Sequence, residues 1–146
     1  MKRVLICVVI LLSVLCACTV ERVPPDLTIQ SVDGDEIESI TATMGTYSWD
    51  YGTGAVEADS AHPLDMHDIA TIADVPETMK LVFTGHVIGY TVRRWVKGAE
   101  YEDFDAVDTE DNTIVSPDDS DSYIYEVMAE YKNGIVYYAF QICKIN

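Results

Sequence analysis

The strongest constraint on the fold is an alternation of side chains near the end of this 146-residue chain. Apolar and aromatic residues occupy every second position over residues 123–131, and the same period resumes over residues 136–142. A period of two places such side chains on one face of a β-strand. Asn133-Gly134, between the two runs, is typical of a type I′ turn. The sequence therefore predicts an antiparallel hairpin with one buried face.

Segments with a similar pattern occur upstream. They lie at residues 26–30, 37–51, 55–58, 80–84 and 87–97. The alternation in the second of them shifts phase at Gly45, which predicts a bulge or bend. About seven strands separated by turns predict an all-β fold, an immunoglobulin-like two-sheet antiparallel β-sandwich. One short helix or loop insertion is expected within residues 61–79, because Met66, Ile69 and Ala73 have helical spacing.

The first 17 residues differ in character from the rest. Lys2 and Arg3 precede an apolar stretch, residues 4–15, that is shorter than the roughly 20 residues needed to cross a membrane. A basic start, a short apolar stretch and small residues at its end are typical of a secretory signal peptide. We therefore predict that residues 1–17 are removed on export.

The end of this segment, Leu15-Cys16-Ala17-Cys18, resembles the lipobox of bacterial lipoproteins. The resemblance implies cleavage after Ala17 and acylation of Cys18 with chains such as palmitate. Two acyl chains give stable attachment, because each buried CH2 contributes about 0.8 kcal/mol. We expect a lipidated Cys and tether over residues 18–26, then a sandwich domain over residues 27–146, at the extracytoplasmic face of the cell membrane. The alternative is an ordinary secreted protein cut near Ala17.

The charge of the chain restricts its partners. Nine Lys and Arg against 25 Asp and Glu give a net charge of −16, which disfavours nucleic acid as a partner. Removal of Lys2 and Arg3 with the signal peptide lowers the net charge to −18. Residues 98–131 contain twelve of the acids and no Lys or Arg. Repulsion from anionic headgroups is expected to hold the domain off the membrane, with this acidic stretch facing away.

The acidic stretch is one candidate metal site, because Ca²⁺ takes roughly six to eight oxygen ligands from carboxylates and carbonyls. The candidate donors are Asp103, Asp105 and Asp108, or Asp118, Asp119 and Asp121. Neither set has the glycine and the distal Glu of an EF-hand loop. The alternative is a solvated acidic loop that like-charge repulsion keeps extended. No other cofactor is expected.

A second cluster combines imidazole with carboxylate. It comprises His62, Asp65, His67 and Asp68, within seven residues. These ligand types suit Zn²⁺ or another transition metal. Alternatively, the same residues cap a short helix. Ser60, His62 and an Asp could also be drawn as a hydrolase triad, but the Gly-x-Ser-x-Gly nucleophile elbow is absent.

A strip of aromatic residues has two interpretations. It comprises Tyr47, Trp49 and Tyr51, which share one face of a strand. If the strip is exposed, its rings could stack on sugar rings or bind a peptide. If it is buried, the rings are core, where a sandwich commonly places a Trp between its sheets. We expect core, because large aromatics supply most of the buried area in a small domain.

Trp95 is the best single candidate for contact with a protein or cell-envelope partner. It lies on the strand face that also holds Thr91 and Arg93, and Arg94 is its immediate neighbour. Trp and Arg dominate the binding energy of many interfaces, so an exposed Trp95 beside two arginines would suit a partner. The alternative is a cation–π pair in which an Arg stacks on Trp95 within the sheet.

Three parts of the chain together resemble a known group of proteins. They are the run from Gly45 to Trp49, residues 58–64, and the closing hairpin around Asn133-Gly134. They resemble uncharacterised extracytoplasmic domains of Firmicutes, which occur as small lipoproteins and attached to membrane-bound M56-family peptidases. The resemblance assigns no activity and no catalytic residue, and the HExxH motif of metallopeptidases is absent.

Together these features predict a lipid-anchored binding or sensing module at the bacterial cell surface, without catalysis and with its membrane contact made through the anchor. Its ligand is expected to be a protein or another component of the cell envelope. One alternative is a secreted metal-dependent enzyme that uses His62, Asp65 and His67. The other is a structural envelope lipoprotein without a specific ligand.

Overall fold

The computed structural model describes residues 22–33, 36–73, 76–117 and 121–143. Within these ranges the chain forms eleven β-strands and one short 3-10 helix, which confirms the predicted all-β fold. No helix in the described ranges has the length and apolar character that crossing a membrane requires. The predicted signal peptide, Cys18, and the candidate calcium ligands Asp118 and Asp119 lie outside the described residues.

The structure divides the chain more finely than the sequence pattern does. The elements are β1 Leu27–Asp33, β2 Glu36–Thr41, β3 Thr43–Asp50, β4 Ala55–Ala58, the 3-10 helix Pro63–Asp65, β5 Ala70–Ala73, β6 Thr78–Phe83, β7 Val87–Val96, β8 Asp105–Val107, β9 Thr113–Val115, β10 Tyr123–Tyr131 and β11 Gly134–Cys143. The predicted strand at residues 37–51 divides at Ala42 into β2 and β3, and three short strands, β5, β8 and β9, are added.

The strands form two sheets with a common core between them, so the predicted two-sheet β-sandwich is confirmed. The small sheet has the order β2-β1-β6-β9, and the large sheet has the order β4-β3-β11-β10-β7-β8 with β5 beside β11. Every pairing of these strands is antiparallel except that of β5 with β11. Strands far apart in sequence are neighbours, as β3 and β11 are, so the chain passes repeatedly between the sheets.

The predicted inward rows of the hairpin supply much of the core. Val127 of β10 and Tyr138 and Phe140 of β11 are each at most 1% exposed. Trp49 of β3 is 3% exposed and meets the Tyr131 ring edge-on, with 5.6 Å between ring centroids. The other two residues of the predicted aromatic strip are partly buried. The core interpretation of this strip is therefore confirmed at Trp49.

The bulge predicted at Gly45 is present in β3. Between two consecutive pairs of β3 and β11, one residue of β11 lies opposite two residues of β3. Gly45 and Thr46 therefore both lie opposite Tyr137. Such a bulge bends a strand and turns a side chain away from the regular alternation.

The short helix or loop insertion expected within residues 61–79 is present, but the same segment also contains a strand that the sequence does not predict. The 3-10 helix covers only Pro63–Asp65, and Ala70–Ala73 is a strand parallel to β11. The reason lies in β11, which is longer than its overlap with β3. Beyond Ala139 the edge of β11 is free, and the backbone of β5 pairs with it there. The helical spacing of Ile69 reflects instead its packing against Ile124 and Ala139.

The hairpin is confirmed, but its turn is not of type I′. The loop residues are Lys132 and Asn133, since Tyr131 pairs with Gly134, and neither loop residue has a positive φ. Gly134 has instead a φ of +150°, and a Cβ there would overlap the Ser48 carbonyl oxygen of β3. The glycine is therefore required by the close approach of β3, whereas the sequence pattern assigns it to the turn.

The folded domain begins before the predicted boundary at residue 27. Pro24 and Pro25 are buried, and the Tyr138 hydroxyl donates to the Pro25 carbonyl oxygen at 2.5 Å. Burial raises the pKa of Tyr138, so this hydroxyl keeps its proton. The Thr84 hydroxyl accepts the Asp26 backbone N–H and donates to the Asp26 carbonyl oxygen. The predicted tether over residues 18–26 is therefore fixed to the core from Pro24 onwards.

We expect Gly134→Ala to lower the free energy of unfolding by about 2–4 kcal/mol, because the new methyl group would force β11 away from β3. Gly89→Ala in β7 is the matched control, since nothing lies within 4 Å of a Cβ there. The control should be neutral or slightly stabilising. Urea denaturation of the two variants measures both effects. Equal stabilities would contradict the proposed role of Gly134.

Candidate binding site on the outer face of the large sheet

The side chains of the large sheet that point away from the small sheet form a second surface, the outer face. On it Trp95 of β7 lies beside Ile124 of β10, and Arg93 lies beside Glu126. Ile124 and Ala139 pack with Ile69 in a small apolar cluster that is separate from the main core. The segment around the 3-10 helix therefore covers part of the outer face and leaves the rest open.

Trp95 is buried, which corrects the expectation of an exposed partner contact. Its side chain is 1% exposed, and its Nε1 donates to the Tyr101 carbonyl oxygen at 3.0 Å. The His62 ring meets it edge-on, with 5.2 Å between centroids, and the Phe104 ring lies at 5.8 Å. The loop after β7 folds back over Trp95, so a partner can reach only the residues that cover it.

The two arginines next to Trp95 point in different directions, and each stacks on an aromatic ring other than that of Trp95. The Arg93 guanidinium lies 4.7 Å from the Phe104 ring centroid, and that of Arg94 lies 5.0 Å from the Tyr123 ring centroid. Arg94 also pairs with Asp105 at 3.2 Å. The alternative interpretation, an Arg in a cation–π pair, is therefore correct, but the aromatic partner is not Trp95. Of the two arginines, only Arg93 is exposed.

The proposed ligands His62, Asp65 and His67 do not converge. The His62 Nδ1 accepts the Leu64 N–H at 3.3 Å and so caps the 3-10 helix, as the alternative interpretation expects. The His62 ring also stacks on Tyr101 at 4.3 Å, and the Tyr101 hydroxyl donates to Asp65. This hydrogen bond raises the pKa of Tyr101. Asp65 and His62 thus act as structural partners within the outer face.

Neither the triad nor the calcium cluster is assembled in the described part of the chain. The Ser60 Oγ lies 3.4 Å from the Thr46 Oγ1 and donates to the Ala61 carbonyl oxygen, not to His62. Asp105 is engaged by Arg94, so it is not free to join Asp103 and Asp108. No three His, Cys, Asp or Glu side chains come together as a metal-binding group among the described residues.

Two adjoining concavities lie on the open part of the outer face, and together we call them the outer groove. The first has a volume of 380 Å³ and the second 550 Å³, and they share Thr46 and Tyr137. The first is lined by side chains that include Ser60, His62, Met66 and Glu126. The second is lined by residues that include Ser48, Glu57, Asp59 and Ile135.

The bulge in β3 shapes the floor of the outer groove. Gly45 and Thr46 face Tyr137 at the bulge, and all three line the first concavity. A Cβ at Gly45 would lie 3.1 Å from the Ser60 Oγ and 3.3 Å from the Tyr137 carbonyl oxygen. The absent side chain of Gly45 therefore leaves room between β3 and the segment that carries Ser60. Bulges are common next to binding sites for this reason.

Among the described residues that line the first concavity, Glu126 is the only Asp, Glu, Lys or Arg. It is half-buried, and no ion pair or hydrogen bond reaches its carboxylate from the described residues. Burial raises the pKa of Glu126, and the charges of Arg93 and His62 partly oppose that effect. A half-buried carboxylate that lacks a hydrogen-bond donor in the protein gains stability when a ligand donates a hydrogen bond to it.

Sequence patterns do not identify the groove residues Glu126, Glu57 and Asp59. Glu126 alternates with the apolar inward row of β10, so its outward direction is predictable, but its burial is not. The only sequence signal for the groove is the phase shift at Gly45, which marks the bulge. Comparisons with protein-family models, with curated proteins and with solved structures find no match for this chain. The resemblance to uncharacterised Firmicutes domains therefore stays a prediction.

We expect Glu126→Gln to raise the free energy of unfolding at pH 7, by up to about 1 kcal/mol. The raised pKa means that the folded state disfavours the ionised carboxylate, so ionisation costs stability above the pKa of the folded state. At about pH 3 the carboxyl group is neutral in both states, and the difference should vanish. Urea denaturation at both pH values measures this, with the exposed Glu130→Gln on the same strand as the control. A destabilised variant at pH 7 would contradict the argument.

Proposed function

We propose that the protein is a lipid-anchored extracytoplasmic module of the bacterial cell membrane that binds a ligand in the outer groove without catalysis. The observation that supports it most is Glu126, which is half-buried, lines a 380 Å³ concavity and has no ion pair or hydrogen bond to its carboxylate among the described residues. Ligand sites are typically concave and largely apolar, with a few convergent polar groups. Met66 and Ala139 supply apolar surface here, and the hydroxyl groups of Thr46 and Ser60 supply polar contacts.

The covering of Trp95 also supports a binding role. His62 borders the groove and is held in place by the Trp95 and Tyr101 rings and by the Leu64 N–H. A wall that is fixed before the ligand arrives loses little conformational entropy on binding. Tyr101 also donates a hydrogen bond to Asp65, so Asp65 is occupied in a structural contact. This favours a rigid recognition surface over a metal centre.

The position of Pro25 suits an anchor at Cys18, seven residues earlier in the sequence. The Pro25 carbonyl oxygen accepts the Tyr138 hydroxyl, which also contacts the Tyr131 hydroxyl, and β7 begins opposite Tyr131 and runs away towards Trp95. Ten residues of strand span about 33 Å. In an anchored protein the loop with Tyr101 and Phe104 would therefore lie far from the membrane. This arrangement agrees with the expectation that the first part of the acidic stretch faces away from the lipid.

Lipidation is tested by growing a bacterial host with a palmitate analogue that can be detected after incorporation. We expect label on the wild-type protein in the membrane fraction. Cys18→Ser should lose the label and leave the membrane, because its side chain cannot form the thioether. Cys143→Ser, which alters the one free cysteine of the described residues, should keep both properties. Label that persists in Cys18→Ser would refute the anchor.

Ligand binding is tested by selecting random-sequence peptides on the full-length protein in detergent. Ala61→Trp places a large side chain at an exposed position that lines the groove, and Ala106→Trp makes the same change at an exposed position of β8 outside it. Selected peptides should bind the wild type and Ala106→Trp, and should lose affinity for Ala61→Trp by about tenfold or more. Selection of no peptide, or equal binding to both variants, would favour a structural lipoprotein without a ligand.

A further inference from the structure

The charge of the outer groove restricts its ligand. Its described lining residues include three carboxylates, Glu57, Asp59 and Glu126, and no Lys or Arg, although Arg93 lies opposite Glu126 on the neighbouring strand. The carboxylates give the lining of the groove a net negative charge. An anionic ligand would be repelled, and a cationic one would be attracted and oriented.

The chemistry of the lining favours Lys or Arg side chains as the cationic groups. The Glu126 carboxylate has no donor from the described residues, and a charged N–H donor would form the stronger, charge-assisted kind of hydrogen bond. Tyr137, on the outer face, lines both concavities. A tyrosine ring packs well against the apolar stem of a long basic side chain and attracts its charged end.

The spacing of the carboxylates favours an extended peptide over a small amine. Glu57 lies on β4 opposite Ser48, and Glu126 lies on β10 opposite Ala139. The strands β3 and β11 separate β4 from β10, so three interstrand spacings, or about 14 Å, lie between the two residues across the sheet. Ser48 pairs with Ile135, four residues before Ala139 on β11, so the two residues are also offset by about 13 Å along the strands. The separation is therefore about 19 Å, so one amine can reach only one carboxylate, and an extended peptide of about six residues covers the distance.

We infer that the ligand of the outer groove is an extended basic peptide segment, with one Lys or Arg at Glu126 and another, about six residues away, at Glu57 and Asp59. This inference rests on the proposed function, because it names the ligand of the same groove. Thr46 lines both concavities between the two ends, and its hydroxyl group donates to Asp59 and accepts the Ser60 N–H, which fixes this part of the groove. The segment would belong to another protein of the cell envelope.

The test measures fluorescence polarisation of labelled synthetic peptides with the full-length protein in a zwitterionic detergent. The probe is a nine-residue Gly/Ser peptide with two Lys about six positions apart. A second peptide has the same composition with the two Lys adjacent, and a third has Glu in place of Lys. The probe should bind at least about fivefold more tightly than the second peptide, and the third should not bind. Its affinity should fall as salt is added.

Charge-neutral variants assign the contacts. Glu126→Gln should weaken binding of the probe by about tenfold and Glu57→Gln by about threefold, because the Glu57 side chain is exposed and its charge is better screened. Glu38→Gln, an exposed position on β2 of the other sheet, removes the same charge and should leave the affinity unchanged. An equal loss in Glu38→Gln would mean that only the net charge attracts the probe, and would overturn the inference.

The outcomes separate this inference from the proposed function. If Ala61→Trp abolishes the binding of selected peptides that contain no Lys or Arg, the groove binds a ligand but the basic peptide is wrong. If lysine amide alone binds as tightly as the probe, the occupant is a small amine and the peptide is again wrong. If Ala61→Trp affects no peptide at all, the inference and the proposed function both fail.

Discussion

The burial of one row of side chains along β11 determines most of this structure. Val136, Tyr138, Phe140 and Ile142 are each at most 1% exposed, and they fill the space between the two sheets. Because β11 also pairs with β10, β3 and β5, any shift of this row by one residue would turn apolar side chains to the outside and break three pairings. The sandwich, the bulge and the outer groove all depend on this single register.

The inner face of the sandwich was accessible from the sequence because it follows from local alternation. The inward rows of the hairpin, the burial of Trp49 and the bulge at Gly45 all appear as a period of two or as its interruption. The strand β5 could not be found in this way, since its four residues become a strand only through pairing with the distant end of β11. The type I′ prediction failed for a similar reason, because Gly134 is required by β3 and not by the turn.

The outer face depends on contacts between segments that are distant in sequence, which the pattern does not contain. Trp95 is buried because the loop after β7 folds back and the segment around the 3-10 helix packs on it. Glu126 is half-buried for the same reason, although its place on β10 is that of an ordinary outward polar residue. Burial raises the pKa of Glu126, so ionisation of this carboxyl group opposes folding, whereas the ionised form suits recognition of a donor. Groups that weaken a fold in this way are frequently found at functional sites.

Tyr138 connects the two ends of the proposed arrangement. Its hydroxyl holds Pro25, at the start of the folded domain, and its residue also borders the outer groove. In a protein that is held by lipid at one end and by a ligand at the other, tension would pass from the N-terminal segment directly into the central strand. Because β11 pairs with β10, β3 and β5, that load would be shared among three neighbouring strands and would not fall on one strand at the edge of a sheet.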